Sequence, residues 1–121
     1  MLFRSENYEV TINESGSVEI QAANYYYNFG TVWIGNYKGA NFTLRNNSKI
    51  PWYINSIYVN GNGFWQDNNC PNFLLKGHAC KIRVTFAPQW VGFYNGVLKI
   101  NLTGGQDINV WLKGRGVWKK Y

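Results

Sequence analysis

The sequence is poor in the residues that do chemistry. It has one histidine, His78, and six acidic residues, four of them within the first 19 positions. Nucleophilic catalysis needs a base beside the nucleophile. A lone histidine in the turn Lys76-Gly77-His78 offers a solvated imidazole instead. Glycoside chemistry needs two carboxylates facing each other across a cleft. Outside the N-terminal region only Asp67 and Asp107 remain, and both fall in expected loops. Two cysteines and one histidine leave a tetrahedral metal site one ligand short. Gly61-Asn62-Gly63 is followed by neither a helix nor a Lys-Ser/Thr pair, so it is not a phosphate loop. The expectation is a protein that is not an enzyme and uses no metal or cofactor.

Long apolar runs are also missing, and none reaches the roughly 18 residues of a membrane span. Met1-Leu2-Phe3-Arg4-Ser5-Glu6 lacks the apolar stretch of a leader. Charged residues are few, at 15%, while hydrophobic residues make up 45%, which excludes a disordered chain. The net charge of +6 admits an acidic partner. The cations are scattered, however, and only Lys113, Arg115, Lys119 and Lys120 approach a cluster.

What is present points to β structure. A chain of 121 residues suits one domain with its own core. Aromatic residues reach 18%, with 13 glycines. Period-two alternation recurs, and helical periodicity does not. Strands are expected at 8–12, 18–22, 39–45, 52–59, 81–86, 96–102 and 107–113. Ile82, Val84 and Phe86 share one inward face, as do Leu98, Ile100 and Leu102, and Ile108, Val110 and Leu112. Trp52 and Ile54 fall in phase with Ile57 and Val59 only after one extra residue, which predicts a bulge. Asn- and Gly-rich turns separate the runs, and Pro88 ends one of them. The pattern predicts an all-β sandwich of seven to nine strands.

One ordered set of residues carries a resemblance. It starts with Phe29-Gly30-Thr31-Val32, Gly35 and Leu44-Arg45-Asn46-Asn47. It continues with Cys70, Gly77, Cys80, Val84-Thr85-Phe86-Ala87-Pro88 and Gly92. It closes on Leu112-Lys113-Gly114-Arg115-Gly116. The set resembles the Hydin-like, or ASH, immunoglobulin-like domain. It is similar to bacterial choice-of-anchor D modules and, more distantly, to major sperm protein domains. The resemblance covers residues 27–116. It implies an immunoglobulin-like sandwich without catalytic residues, serving as an interaction or structural module, often repeated in larger proteins. Bacterial versions commonly carry the cysteine pair and sit outside the cytoplasm. Residues 1–26 read as an N-terminal extension with edge strands, able to pair within the chain or with a neighbouring molecule. Residues 27–121 read as the sandwich domain. Gly30 and Gly35 are expected to let the chain cross between sheets.

Cys70 and Cys80 lie ten residues apart around a loop containing Pro71 and Gly77. A disulfide is the favoured reading, and two buried thiols are the alternative. A bonded pair implies an oxidising, extracytoplasmic compartment. If strands 52–59, 94–102 and 107–115 share a sheet, its outer face carries Tyr53, Tyr58, Lys99, Trp111 and Lys113. These are the candidate partner-binding residues, because Trp and Tyr join apolar area to a polar handle. The alternative is that a loop, the N-terminal segment or the tail Val117-Trp118 covers Trp111. Trp90 is expected to plug one end of the sandwich. Glycosylation sequons begin at Asn13, Asn41, Asn46 and Asn101. The expected role is an extracytoplasmic module for protein–protein contacts, with self-assembly through the N-terminal strand as one form. The alternative is carbohydrate binding through exposed Trp and Tyr, and single-stranded nucleic acid is the least favoured partner.

Overall fold

The computed structural model describes residues 8–13, 17–20 and 24–119, the first two segments by backbone alone. The described strands are β1 (Tyr8–Asn13), β2 (Ser17–Ile20), β3 (Asn24–Trp33), β4 (Lys38–Asn46) and β5 (Trp52–Asn60). They continue with β6 (Phe64–Asn68), β7 (Phe73–Leu74), β8 (Ala79–Phe86), β9 (Gly92–Thr103) and β10 (Ile108–Val117). They form two five-stranded sheets, ordered β2-β1-β4-β8-β6 and β3-β10-β9-β5-β7. All pairings are antiparallel except β3 with β10, which run parallel. The expected all-β, immunoglobulin-like sandwich is therefore the fold. β1 pairs with β4, and β2 lies outside it at the edge of the first sheet.

Alternation decides which side chains meet between the sheets. From the first sheet come Phe42, Leu44, Ile82, Val84 and Phe86, all without solvent exposure. From the second come Trp52, Leu98, Ile100, Ile108, Val110 and Leu112. Phe29, Phe64, Phe86 and Tyr94 form an aromatic centre with neighbouring ring centroids 5.0–5.8 Å apart. The bulge expected in β5 lies between Ile54 and Ser56. Gly114 faces inward against Phe86, and a Cβ there would collide with the ring.

Two expectations change. Gly30 does not carry the chain between sheets, because β3 pairs with β10 on both sides of it. It is instead the extra residue of an irregularity opposite Gly114, in the left-handed region at φ +77° that a side chain disfavours. The crossing to β4 is left to the turn around Gly35. Trp90 does not plug the sandwich: it stays half exposed, 5.4 Å from the Tyr94 ring. The end is closed by Tyr94, whose hydroxyl accepts from the backbone N of Gln89 and Trp90 and donates to the Trp90 carbonyl at 2.8 Å.

Cys70 and Cys80 form a disulfide with Cα atoms 4.9 Å apart. Cys80 is the second residue of β8, and Cys70 sits where the chain leaves β6 of the first sheet for β7 of the second. The bond closes this crossing onto the first sheet. Nearby, buried Asn46 ties the sheets together: its Nδ2 donates to the Ile50 and Leu74 carbonyls, each at 2.9 Å. Its Oδ1 accepts from the Ser48 backbone and hydroxyl. With no exposure, Asn46 is closed to glycosylation in the folded chain.

Candidate functional site

β10 is flanked by β3 and β9, and its outward residues Asn109, Trp111, Lys113 and Arg115 run along the second sheet's outer face, one strand in from the β3 edge. Register sets their neighbours. Asn24, Asn109, Lys99 and Tyr58 form one cross-strand row. Tyr26, Trp111, Val97 and Asn60 form the next, then Asn28, Lys113 and Asn95, then Thr31, Arg115 and Phe93. The five residues singled out from sequence therefore share one face. Lys99, Trp111 and Lys113 lie at its centre, Tyr58 lies beside Lys99, and Tyr53 lies at the far end against Phe73, 4.8 Å between centroids.

Trp111 is 40% exposed. It lies opposite Val97, an outward valine that is nonetheless buried and stands outside the core cluster. The tail does not cover Trp111, since Trp118 is itself 69% exposed. The face holds further aromatics that sequence reading did not assign to it: Tyr26, Phe93 and Trp33, of which Phe93 is 80% exposed. The Arg115 guanidinium lies 5.3 Å from the Phe93 ring centre, and the Lys119 ammonium lies the same distance from that of Trp33. Tyr26 was legible in principle, because Asn24, Tyr26 and Asn28 alternate outward from Tyr25 and Tyr27. The run of three tyrosines hides that alternation. Phe93 was hidden because β9 starts earlier than its apolar alternation does.

Among the described residues the face carries Lys99, Lys113 and Arg115 against one carboxylate, Asp107. Asp107 is engaged locally, accepting from Asn101 Nδ2 and from the Leu102 backbone at 3.1 Å. Asp67, the acid weighed from sequence as its catalytic companion and expected in a loop, lies instead in β6 of the other sheet. His78 is exposed in its turn. Among the described residues no three His, Cys, Asp or Glu side chains gather as metal ligands. Nor is any helix there long and apolar enough to cross a membrane.

Solved structures share this fold. The ASH/PapD-like domain 7 of human CEP192 superposes with a TM-score of 0.64 at 16% identity, covering 98% of this chain and 92% of that one. A Porphyromonas gingivalis protein of unknown function gives 0.66 at 13%, covering 94% of this chain and 49% of that one. The secreted serine protease VesC of Vibrio cholerae gives 0.58 at 15%, covering 74% of this chain. The chain spans only 21% of the VesC chain's length. At these identities the likeness is one of fold. No curated protein sequence matches the chain. The family model described as HYDIN/CFA65/VesB-like, Ig-like domain matches residues 18–115, so the chain belongs to that family of immunoglobulin-like domains.

Proposed function

We propose that the protein is a non-catalytic docking module that works outside the cytoplasm and holds its partner on the outer face of the second sheet. The observation that carries this reading is the gathering of Tyr26, Tyr53, Tyr58, Phe93 and Trp111, all at least 40% exposed, on one sheet face. A soluble domain gains nothing in folding from aromatic area left in water, and such patches mark binding surfaces. The Cys70–Cys80 disulfide supports an oxidising setting. The pairing of β1 with β4 supports docking through the sheet face rather than through strand exchange. A protein in a surface assembly and a glycan are the two partner classes this face suits.

A photo-reactive benzophenone side chain at position 26, 93 or 111 tests the reading, with controls at 81 and 85 on the first sheet. Applied to the chain in the cells that produce it, the reading expects adducts from the second-sheet positions only. Equal adducts from both sheets, or none from 26, 93 and 111, would sink it.

A further inference from the structure

Three shallow depressions lie in a row along β10. The first, about 250 Å³, has Tyr58 as its aromatic wall and Lys99, Asn101, Asp107 and Asn109 as polar lining. The second, also about 250 Å³, lies between Tyr26 and Trp111, with Asn95 and Lys113 at its side. The third, about 210 Å³, sets Phe93 against Asn28, Thr31, Lys113 and Arg115. From Asn109 to Arg115 the row is about 20 Å long, room for about four linked sugar rings.

Resting on the docking face proposed above, we propose that this row binds an acidic polysaccharide, a chain of carboxylated sugars laid along β10. Each depression offers what one sugar ring needs. An aromatic wall stacks on the ring's C–H face. Asparagine amides both donate and accept, which matches hydroxyl groups. Among the described residues Lys99, Lys113 and Arg115 outnumber the one locally engaged carboxylate, and the whole chain carries +6, so the face favours a partner that carries negative charge.

Other occupants fit less well. A protein interface is built around an apolar centre depleted of charge. Here Lys113 sits in the middle, and asparagines separate the aromatics. An added strand would need an open edge on β3. There Asn28 Oδ1 accepts from the Gly30 backbone and Lys38 Nζ donates to the Phe29 carbonyl. A second copy would bring like charges face to face.

The test titrates the intact chain with a galacturonate tetramer, a neutral cellulose tetramer and oligo(dT), reading calorimetry and amide NMR shifts. The proposal expects binding of the acidic sugar, with shifts confined to β3, β9 and β10. It expects no measurable binding of the neutral one. Phe93→Ala and Arg115→Ala should each weaken binding about tenfold, while Thr85→Ala on the other sheet leaves it unchanged. Both changes are at exposed side chains, so circular dichroism should match the parent chain. Binding of oligo(dT) as tight as the sugar would reduce the site to a general polyanion surface and overturn the proposal. No binding of the acidic sugar would overturn it as well. If the crosslinks still map to positions 26, 93 and 111, only the sugar assignment falls. Sugar-induced shifts on the first sheet would bring down the docking face too.

Discussion

On β8 the outward side chains are Lys81, Arg83 and Thr85; on β10 they are Asn109, Trp111, Lys113 and Arg115. Both strands lie one in from an edge of their sheets and send equally buried side chains inward. Their outer faces nevertheless differ. On the first sheet two arginines are engaged locally: Arg83 reaches Asn41 Oδ1 at 3.3 Å and lies over Gly39, and Arg45 reaches the Gly77 carbonyl, while Trp65, opposite Thr85, stands half exposed. On the second sheet large rings stand in solvent beside cations. Folding constrains the inward half of the alternation and leaves the outward half free. The contrast between the faces is thus read as a difference in use, and variants can test it.

The largest effect should come from the core that both sheets share. Phe86→Ala empties the aromatic centre and should cost about 3–5 kcal/mol in urea unfolding, disturbing both faces together. If one face survived intact, the two sheets would not depend on one core. Next is the crossing between sheets. Replacing Cys70 and Cys80 by Ser should cost about 2–3 kcal/mol by the chain-entropy estimate for this loop, and reduction of the parent chain should match it. A loss near zero would show that the Asn46 network and strand pairing already hold the crossing.

Smaller changes sharpen the contrast between faces. Trp111→Ala uncovers Val97 and should cost about 1 kcal/mol as a lost cross-strand contact. Arg83→Ala on the first sheet should stay within about 0.5 kcal/mol. A reversed order in thermal or urea unfolding would mean that Trp111 is surplus to the fold and Arg83 is not. The smallest effect concerns Tyr25, whose inward position on β3 raises its phenol above the usual 10.0 through desolvation. The fold holds the neutral phenol, so this stabilisation is complete below pH 10 and is lost as pH rises through the raised folded value. Tyr25→Phe should lose less stability than the parent chain between neutral pH and that alkaline range, measured as the melting temperature against pH.

The inward faces of β8, β9 and β10 were legible because their apolar residues alternate without interruption, and the β5 bulge because a single extra residue breaks the phase. The shared face of Tyr53, Tyr58, Lys99, Trp111 and Lys113 followed from that phase once three strands were placed in one sheet. β3 was not legible. Its Tyr25-Tyr26-Tyr27 run shows no contrast between faces, and the expected boundary at 26/27 falls inside it. Its parallel partner β10 is about 85 residues away in the chain, beyond the reach of any local pattern.

The sequence by itself determined the β class, the inward residues and the shortage of catalytic groups, because each depends on residue type and a period of two. Only the tertiary structure decided that Tyr26 and Phe93 flank Trp111 and Arg115, and that Asp67 lies in the first sheet while Asp107 lies in the β9–β10 turn of the second. Those facts depend on which strands become neighbours. That choice is settled by how the two sheets close over a common interior, which no local stretch of chain encodes.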